Sequence, residues 1–227
     1  MKLIDLWAKL LAARHIESVD SQLAHELGLN RDRHRSVGLV TCDQDDSMYV
    51  ALDHATKFAR VEVMFAKSFY AGSKHASGPF SGEILGIVGA DNPDEVAEAL
   101  WVVAEHLKVV RFQTFEGGDS QPAFLAHVVS ETGTYLSPLA GLKPGAPMAY
   151  LIAPPLEAVV AVDAALKAAP VKLAKFIPPP SETNFGGAFL SGTLSDLEAA
   201  RDAFVEAIAD FARAPLAGVR RPSHLRR

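Results

Sequence analysis

The spacing of apolar positions along the chain is typical of strands in some segments and of helices in others. The same series of strand-like and helix-like segments occurs twice. In the first half, residues 37–42 are typical of a buried strand, residues 47–59 of a helix and residues 60–68 of an alternating strand. A strand at residues 82–88 and a helix that begins after Asp91 follow. The second half predicts a strand at 149–153, a helix at 155–169, strands at 171–177 and 187–193, and a helix at 195–213. This order is typical of an α+β fold, with helices on one side of a mainly antiparallel sheet.

Individual side chains recur together with the pattern. Asp53 and Lys57 recur 110 residues later as Asp163 and Lys167. A second set recurs 105 residues later: Phe80, Gly82, Leu85 and Asp91 return as Phe185, Gly187, Leu190 and Asp196. Residues 17–29 and 127–142 correspond only weakly. Such self-similarity predicts two copies of one fold, so shared residues belong to the scaffold and differences point to function. We predict a first domain at residues 1–113, a second at 114–222 and a flexible tail at 216–227.

The first sixteen residues carry apolar side chains at helical spacing. Leu3, Trp7, Leu10 and Leu11 fall on one helical face, which predicts a helix packed on its own domain. An amphipathic docking peptide is the alternative. Charged residues interrupt the apolar run that a targeting segment requires, and no run is long enough to cross a bilayer. We therefore expect a soluble cytosolic protein.

Composition and charge narrow the range of possible functions. The 227 residues are 49% hydrophobic and 22% charged, which is ordinary for a globular protein. The formal net charge of −5 argues against a nucleic-acid surface, because the only basic cluster is the terminal segment 220–227. Cys42 is the only cysteine, which excludes an intrachain disulfide and a cysteine-rich metal site.

Catalytic motifs are missing from the sequence. It contains no G-x-S-x-G, no H-E-x-x-H, no Walker lysine loop and no complete G-x-G-x-x-G, and its eight histidines show no metal-ligand spacing. We predict that the protein is not an enzyme and has no catalytic or metal-binding residues. The enzyme alternative would use His75 or His127 with a loop carboxylate.

Two loops differ between the copies, and a third segment joins them. Residues 43–46 are acidic, whereas the matching residues 153–156 carry no acid. A helix cap at Asp46 explains the acidic loop as well as a functional role does. Residues 178–185 begin with three prolines, whereas residues 70–80 are longer and richer in glycine. Residues 111–120 join the copies and place two aromatics before two glycines, so we expect a mobile loop that presents Phe112 and Phe115.

Several longer motifs resemble, in order and spacing, the tandem-domain shell proteins of bacterial microcompartments, of the EutL type found in ethanolamine-utilising compartments. The motifs lie at residues 35–39, 68–72, 123–130, 147–157, 162–167 and 178–184. The resemblance runs from about residue 3 to Pro215. Residues 111–120 and the basic tail after Pro215 depart from it.

The resemblance implies two circularly permuted shell domains in each chain and a homotrimer that imitates a hexagonal tile. A two-copy chain with threefold symmetry has six similar edges, through which flat tiles can associate laterally with other shell proteins. Gated pores for small polar metabolites would perforate the tile. The positions that match the pore loops of the family are Arg111, Phe112, Gln113, Phe115, Gly117, Gly118, Glu182, Thr183 and Asn184. The positions that match the ethanolamine site of the family are Asp45, Glu83, Phe112 and Thr183.

The chemistry of these four positions suits a small ammonium ligand. Asp45 and Glu83 supply negative charge, Thr183 a hydrogen-bond partner and Phe112 an aromatic wall. We predict no cofactor; a cobalamin or a zinc ion in the open pore is an alternative that no ligand spacing supports. We expect a location in the microcompartment shell within the cytoplasm, and neither nucleic acid nor membrane as a partner. The competing function is a trimeric sensor of small amines that does not assemble.

Overall fold

The computed structural model describes residues 1–68, 84–179 and 185–218. Its strands are β1 (Lys2–Trp7), β2 (Leu10–Ile16), β3 (Ser36–Cys42), β4 (Glu62–Ser68), β5 (Ile84–Ala90), β6 (Arg111–Glu116), β7 (Leu125–Val129), β8 (Met148–Ala153), β9 (Lys172–Ile177) and β10 (Gly186–Ser191). Its helices are α1 (Ser21–Glu26), α2 (Asp45–Ala55), α3 (Pro93–His106), α4 (Leu136–Leu139), α5 (Pro155–Ala168) and α6 (Leu194–Arg213). No helix in these ranges is long and apolar enough to cross a membrane.

The strand orders confirm the predicted α+β fold and its duplication. The first sheet has the order β2-β3-β5-β4 and the second the order β7-β8-β10-β9, and all neighbouring strands are antiparallel. Helices α2 and α3 pack on the first sheet, and α5 and α6 pack on the second. The two sheets are therefore copies of one topology.

The register between strands corrects one part of the predicted repeat. Lys67 is paired with Leu85 in the first sheet, and its repeat mate Ile177, 110 residues later, is paired with Gly187 in the second. Gly187 therefore corresponds to Leu85, 102 residues earlier, and not to Gly82. The predicted offset of 105 is wrong by three residues, because identical letters in short strands fix register less firmly than hydrogen bonds do.

The weakly similar segments before β3 and β8 have the same local structure. The amide of Gly28 bonds to the carbonyl of His25, and the amide of Gly141, 113 residues later, bonds to the carbonyl of Pro138. Both glycines have a left-handed backbone, with φ of 66° and 65°, as expected just after a helix. Helices α1 and α4 are therefore repeat mates.

The chain begins with strands, not with the predicted helix. β1 pairs along its length with β6, and β2 pairs with β3. In β1, Ile4 and Leu6 are half-buried, whereas Leu3, Asp5 and Trp7 are exposed, which is the alternation of a strand. The prediction failed because a few apolar residues fit both spacings, and here the partner strand decides.

Residues 111–116 also form a strand and not the expected loop. The side chains of Phe112 and Phe115 are only 6% and 7% exposed. Only the end of the segment turns, at Gly117, where φ is 86°. The predicted boundary between residues 113 and 114 falls inside β6, and the division into domains stays a prediction. Of the predicted tail, residues 216–218 are exposed and the remainder lies outside the described residues.

The two copies share part of their core. One cluster of buried side chains joins Met48 and Val50 of α2 to Leu136, Tyr150 and Phe189 of the second copy. A separate cluster between the second sheet and its helices contains Leu151, Leu197 and Phe204. The first copy is thus partly completed by the second, and the cavity described below lies at this boundary.

Candidate functional site

A cavity of about 310 Å³ opens between the two copies. Helix α2 of the first copy forms one side, and strands β8, β9 and β10 with helix α4 form the other. Its lining residues are Asp45, Asp46, Tyr49, Ala66, Tyr135, Leu136, Leu139, Tyr150, Ile152, Lys175, Phe176, Ile177, Pro178 and Phe189. Two acids among many aromatic side chains make it suitable for a small cation.

The two acids lie in the first turn of α2. Asp45 and Asp46 are each only 5% exposed, which is rare for carboxylates. The positive end of the helix dipole stabilises acids at this place. Gln44 fixes the preceding loop, because its Nε2 donates to the carbonyl of Leu6 at 2.8 Å and its Oε1 accepts from Ser47 Oγ at 2.8 Å. The start of α2 is thereby anchored to β1.

Tyr150 reaches the acids from the second copy. Its hydroxyl donates to Asp46 Oδ1. Burial, and next the negative charge of Asp46, raise the pKa of Tyr150 well above its usual value, so the phenol remains protonated and acts as a donor. The bond joins β8 to α2 and holds one carboxylate in place.

Of the four predicted amine-site residues, the structure describes Asp45 and Phe112. Asp45 lines the cavity, whereas Phe112 is not among its lining residues and lies on β6 opposite Leu6. The Phe112 ring lies 6.1 Å from the ring of Phe185. Glu83 and Thr183 lie outside the described residues.

The predicted pore positions on β6 contact the strand beside them. The guanidinium of Arg111 pairs with Asp5 at 2.8 Å and lies 4.8 Å from the Trp7 ring. Gln113 Nε2 also donates to Asp5 Oδ1, at 2.8 Å. These hydrogen bonds, first that from Arg111, lower the pKa of Asp5. Arg111 and Gln113 thus fix β1 against β6.

Of the two glycines after β6, Gly117 is open and Gly118 is packed. A methyl group on Gly118 would approach the carbonyl oxygen of Ala212 to 2.3 Å, and the amide of Ser120 bonds to the same oxygen at 3.2 Å. The loop is thereby docked on the end of α6. Glu182, Thr183 and Asn184 lie outside the described residues, and the pore-lining role of all these positions stays a prediction.

Sequence reasoning missed several cavity residues on the second copy. Tyr150, Lys175 and Phe176 line the cavity, but only Tyr150 carried a signal, as a polar group in the otherwise apolar strand β8. Lys175 is exposed on the mostly exposed strand β9, where a lysine is unremarkable. Its positive charge would oppose a cation bound close to it.

Three histidines meet where α2 and α3 face β7. The rings of His54 and His106 stack at 3.8 Å, and His127 lies 6.4 Å from His106. Burial is the main cause that lowers the pKa of His54 to about 4, of His106 to about 3 and of His127 to about 4. Within the described ranges no group of three or more His, Cys, Asp or Glu is placed to hold a metal ion. His75 lies outside those ranges.

The chain is similar over most of its length to known shell proteins. It is 47% identical over 205 residues, 90% of this chain and 93% of the relative, to the protein of Escherichia coli K12 named bacterial microcompartment shell protein EutL. No protein-family model matches the chain.

Two solved structures agree with the fold. EutL from Clostridium perfringens is 44% identical with a TM-score of 0.90, covering 96% of this chain and 98% of that one. The ethanolamine utilization protein EutL from Leptotrichia buccalis is 49% identical, also with a TM-score of 0.90, covering 95% and 99%.

Proposed function

The chain belongs to the EutL family of bacterial microcompartment shell proteins, and from this we propose that it builds the shell and controls the passage of small metabolites through it. It is a structural protein and not an enzyme. Its place is the shell of a bacterial microcompartment within the cytoplasm. The observation that carries the proposal is the identity of 47% over nine-tenths of the chain.

The working unit is a homotrimer in the form of a pseudohexagonal tile. Each chain supplies two copies of one topology, so three chains around a threefold axis present six similar edges. Repeated edges allow the tiles to meet one another and other shell proteins laterally. The pores of the tile admit small polar metabolites.

We propose that a small amine, ethanolamine in the first place, binds at the boundary between the copies. The support is the buried acid pair in the first turn of α2, which supplies negative charge to a cavity rich in aromatic side chains. Asp45, Glu83, Phe112 and Thr183 are the proposed contacts. Because ethanolamine has few atoms that can contact the protein, we expect a modest affinity.

The solution mass and electron microscopy test assembly. The chain has a mass of 24.3 kDa, and native mass spectrometry should find three times this value. Concentrated protein should form flat hexagonal sheets. A trimer without sheets under any ionic condition would favour the amine sensor, and a monomer would contradict the tile.

Calorimetric titration with ethanolamine tests the amine site. Asp45→Asn should weaken binding about tenfold or more, because a charge-assisted contact becomes neutral. Glu98→Gln, a carboxylate on the exposed face of α3, is the matched control and should bind like the wild type. Propylamine, which lacks the hydroxyl group, should bind less well than ethanolamine. Equal titrations of wild type and Asp45→Asn would remove Asp45 from the site.

A further inference from the structure

Within one chain, the second copy docks on a defined stripe of helix α2. The carboxylate of Asp53 is 1% exposed and accepts the amides of Gly133 at 2.7 Å, Tyr135 at 3.2 Å and Leu136 at 2.7 Å. One turn on, Lys57 Nζ donates to the carbonyl of Glu131 at 2.9 Å. A carboxylate of the first copy thus caps the start of α4 in the second.

Helix α5 is the repeat mate of α2 and buries the same core face. Ala158, Ala161, Val162 and Ala165 are buried on it, and residues 110 positions earlier are buried on α2. The difference is a second stripe. On α2 this stripe is also buried, at Asp46, Val50 and Asp53, whereas on α5 its mates Leu156, Val160 and Asp163 are exposed.

The exposed fractions of these repeat mates differ widely. Val50 is 2% exposed and Val160 is 47% exposed. Leu156 is 62% exposed. The side chain of Asp163 is 61% exposed and pairs with Lys167 at 2.6 Å, whereas Asp53 lies buried against the second copy. The stripe on α5 is therefore an apolar and charged surface whose counterpart is covered.

The segment that could cover it has a repeat mate in the first copy. Thr132 N bonds to the carbonyl of Ala146, and Val19 N bonds in the same way to the carbonyl of Arg35, so residues 19–29 match residues 132–142. Leu23 is then the mate of Leu136, but it is 45% exposed whereas Leu136 is 1% exposed. Each chain thus forms one such contact internally, between α2 and the start of α4. It also exposes the two matching surfaces, the stripe on α5 and the start of α1.

We propose that the exposed stripe of α5, Leu156, Val160, Asp163 and Lys167, binds the start of α1 in a second copy of this chain, around Leu23. In this junction Leu23 covers Val160, and Asp163 accepts the amide of Leu23. Lys167 turns from Asp163 to a carbonyl at residues 17–18, as Lys57 does at Glu131. The contact is head-to-tail, so it propagates from chain to chain until the ring closes. This inference rests on the proposed trimer and names its interface.

The junction between chains cannot copy the internal one atom for atom. Asp20 stands at the position of Gly133, where a methyl group would approach the carbonyl oxygen of Asp53 to 2.3 Å. Asp20 also uses its own carboxylate to cap α1, accepting from Gln22 N at 2.9 Å. The amides available to Asp163 are therefore fewer, and the two chains stand farther apart than the two copies do. Such a junction is weaker than the internal one and can assemble after folding.

Charge substitutions at both halves test the interface in the full-length chain. Val160→Asp and Leu23→Asp should each raise the concentration at which trimers dissociate by about 100-fold or more, because each buries an unpaired charge. Asp163→Ala should raise it about tenfold. The double variant Val160→Asp with Leu23→Lys should restore trimers in part, because the two new charges attract each other across the junction.

Asp202→Ala is the matched control. Its side chain is 69% exposed and paired with Arg201, much as the exposed side chain of Asp163 is paired with Lys167. The control should dissociate like the wild type. Native mass spectrometry gives the readout, and circular dichroism confirms that each variant is folded. Trimers that survive all substitutions would overturn this interface and leave the shell function standing, whereas a wild-type monomer would overturn the proposed trimer itself.

Discussion

The three hydrogen bonds that Asp53 accepts from the second copy lead to a specific prediction about stability. Asp53→Ala removes the acceptor for three amides of the other copy. The amides of Gly133 and Leu136 are buried, and each unsatisfied buried donor costs about 1–3 kcal/mol. The expected loss is therefore about 2–6 kcal/mol in the free energy of unfolding. This is a large fraction of the total stability of an ordinary domain.

Urea denaturation followed by circular dichroism measures this loss. All variants must be compared at one chain concentration, because assembly adds to apparent stability. Asp53→Asn keeps one acceptor oxygen and should lose less than Asp53→Ala. The exposed carboxylate of Asp202 gives the control, and Asp202→Ala should stay within about 0.5 kcal/mol of the wild type. A loss below about 1 kcal/mol for Asp53→Ala would refute the view that this carboxylate joins the copies.

Three further outcomes are expected from denaturation experiments. Gly118→Ala should cost about 1–3 kcal/mol, because the new methyl group meets the carbonyl of Ala212, whereas Gly218→Ala should be neutral because it meets nothing. Tyr150→Phe should cost about 1–3 kcal/mol, because Asp46 loses a buried hydrogen bond. The histidine cluster around His106 should make the protein acid-sensitive. The pKa values of these histidines in the folded protein, about 3 to 4, lie below the ordinary value of 6.5. Their contribution to the free energy of unfolding is therefore complete above pH 6.5 and is lost as the pH falls toward 4.

Each of these outcomes has a contrary result. Equal denaturation midpoints for Gly118→Ala and Gly218→Ala would show that the loop is not docked on α6. An unchanged midpoint for Tyr150→Phe would remove the link between β8 and α2. A midpoint that is flat between pH 6.5 and 4 would mean that the histidines protonate freely in the folded state.

The sequence already indicated the family, the α+β class and the order of the main strands and helices within each copy. Helices α5 and α6 were predicted within one residue of their observed bounds, and α3 begins where it was predicted, because their apolar positions keep one period over many residues. Of the residues that line the cavity, it nominated Asp45, but not the buried pair Asp46 and Tyr150, which belong to different copies and meet only through folding.

The tertiary structure decided the features in which local pattern and long-range pairing compete. The first sixteen residues fit a helix by spacing, yet β1 and β2 form because β6 and β3 offer them complete hydrogen-bond ladders. The same pairing turned the expected loop at residues 111–116 into a strand with buried aromatics.

Sequence alone determined the duplication, because periodicity and repeated residues are local properties that can be read from the printed letters. The shell family came from the resemblance of longer motifs, which the sequence identity of 47% then showed. It could not show that the two copies differ in burial. Asp53 and Asp163 carry the same side chain in the same local pattern, but one is covered by the other copy and one is exposed. That difference exists only between elements far apart in the chain, because solvent exclusion depends on what lies across the interface and not on neighbours in sequence.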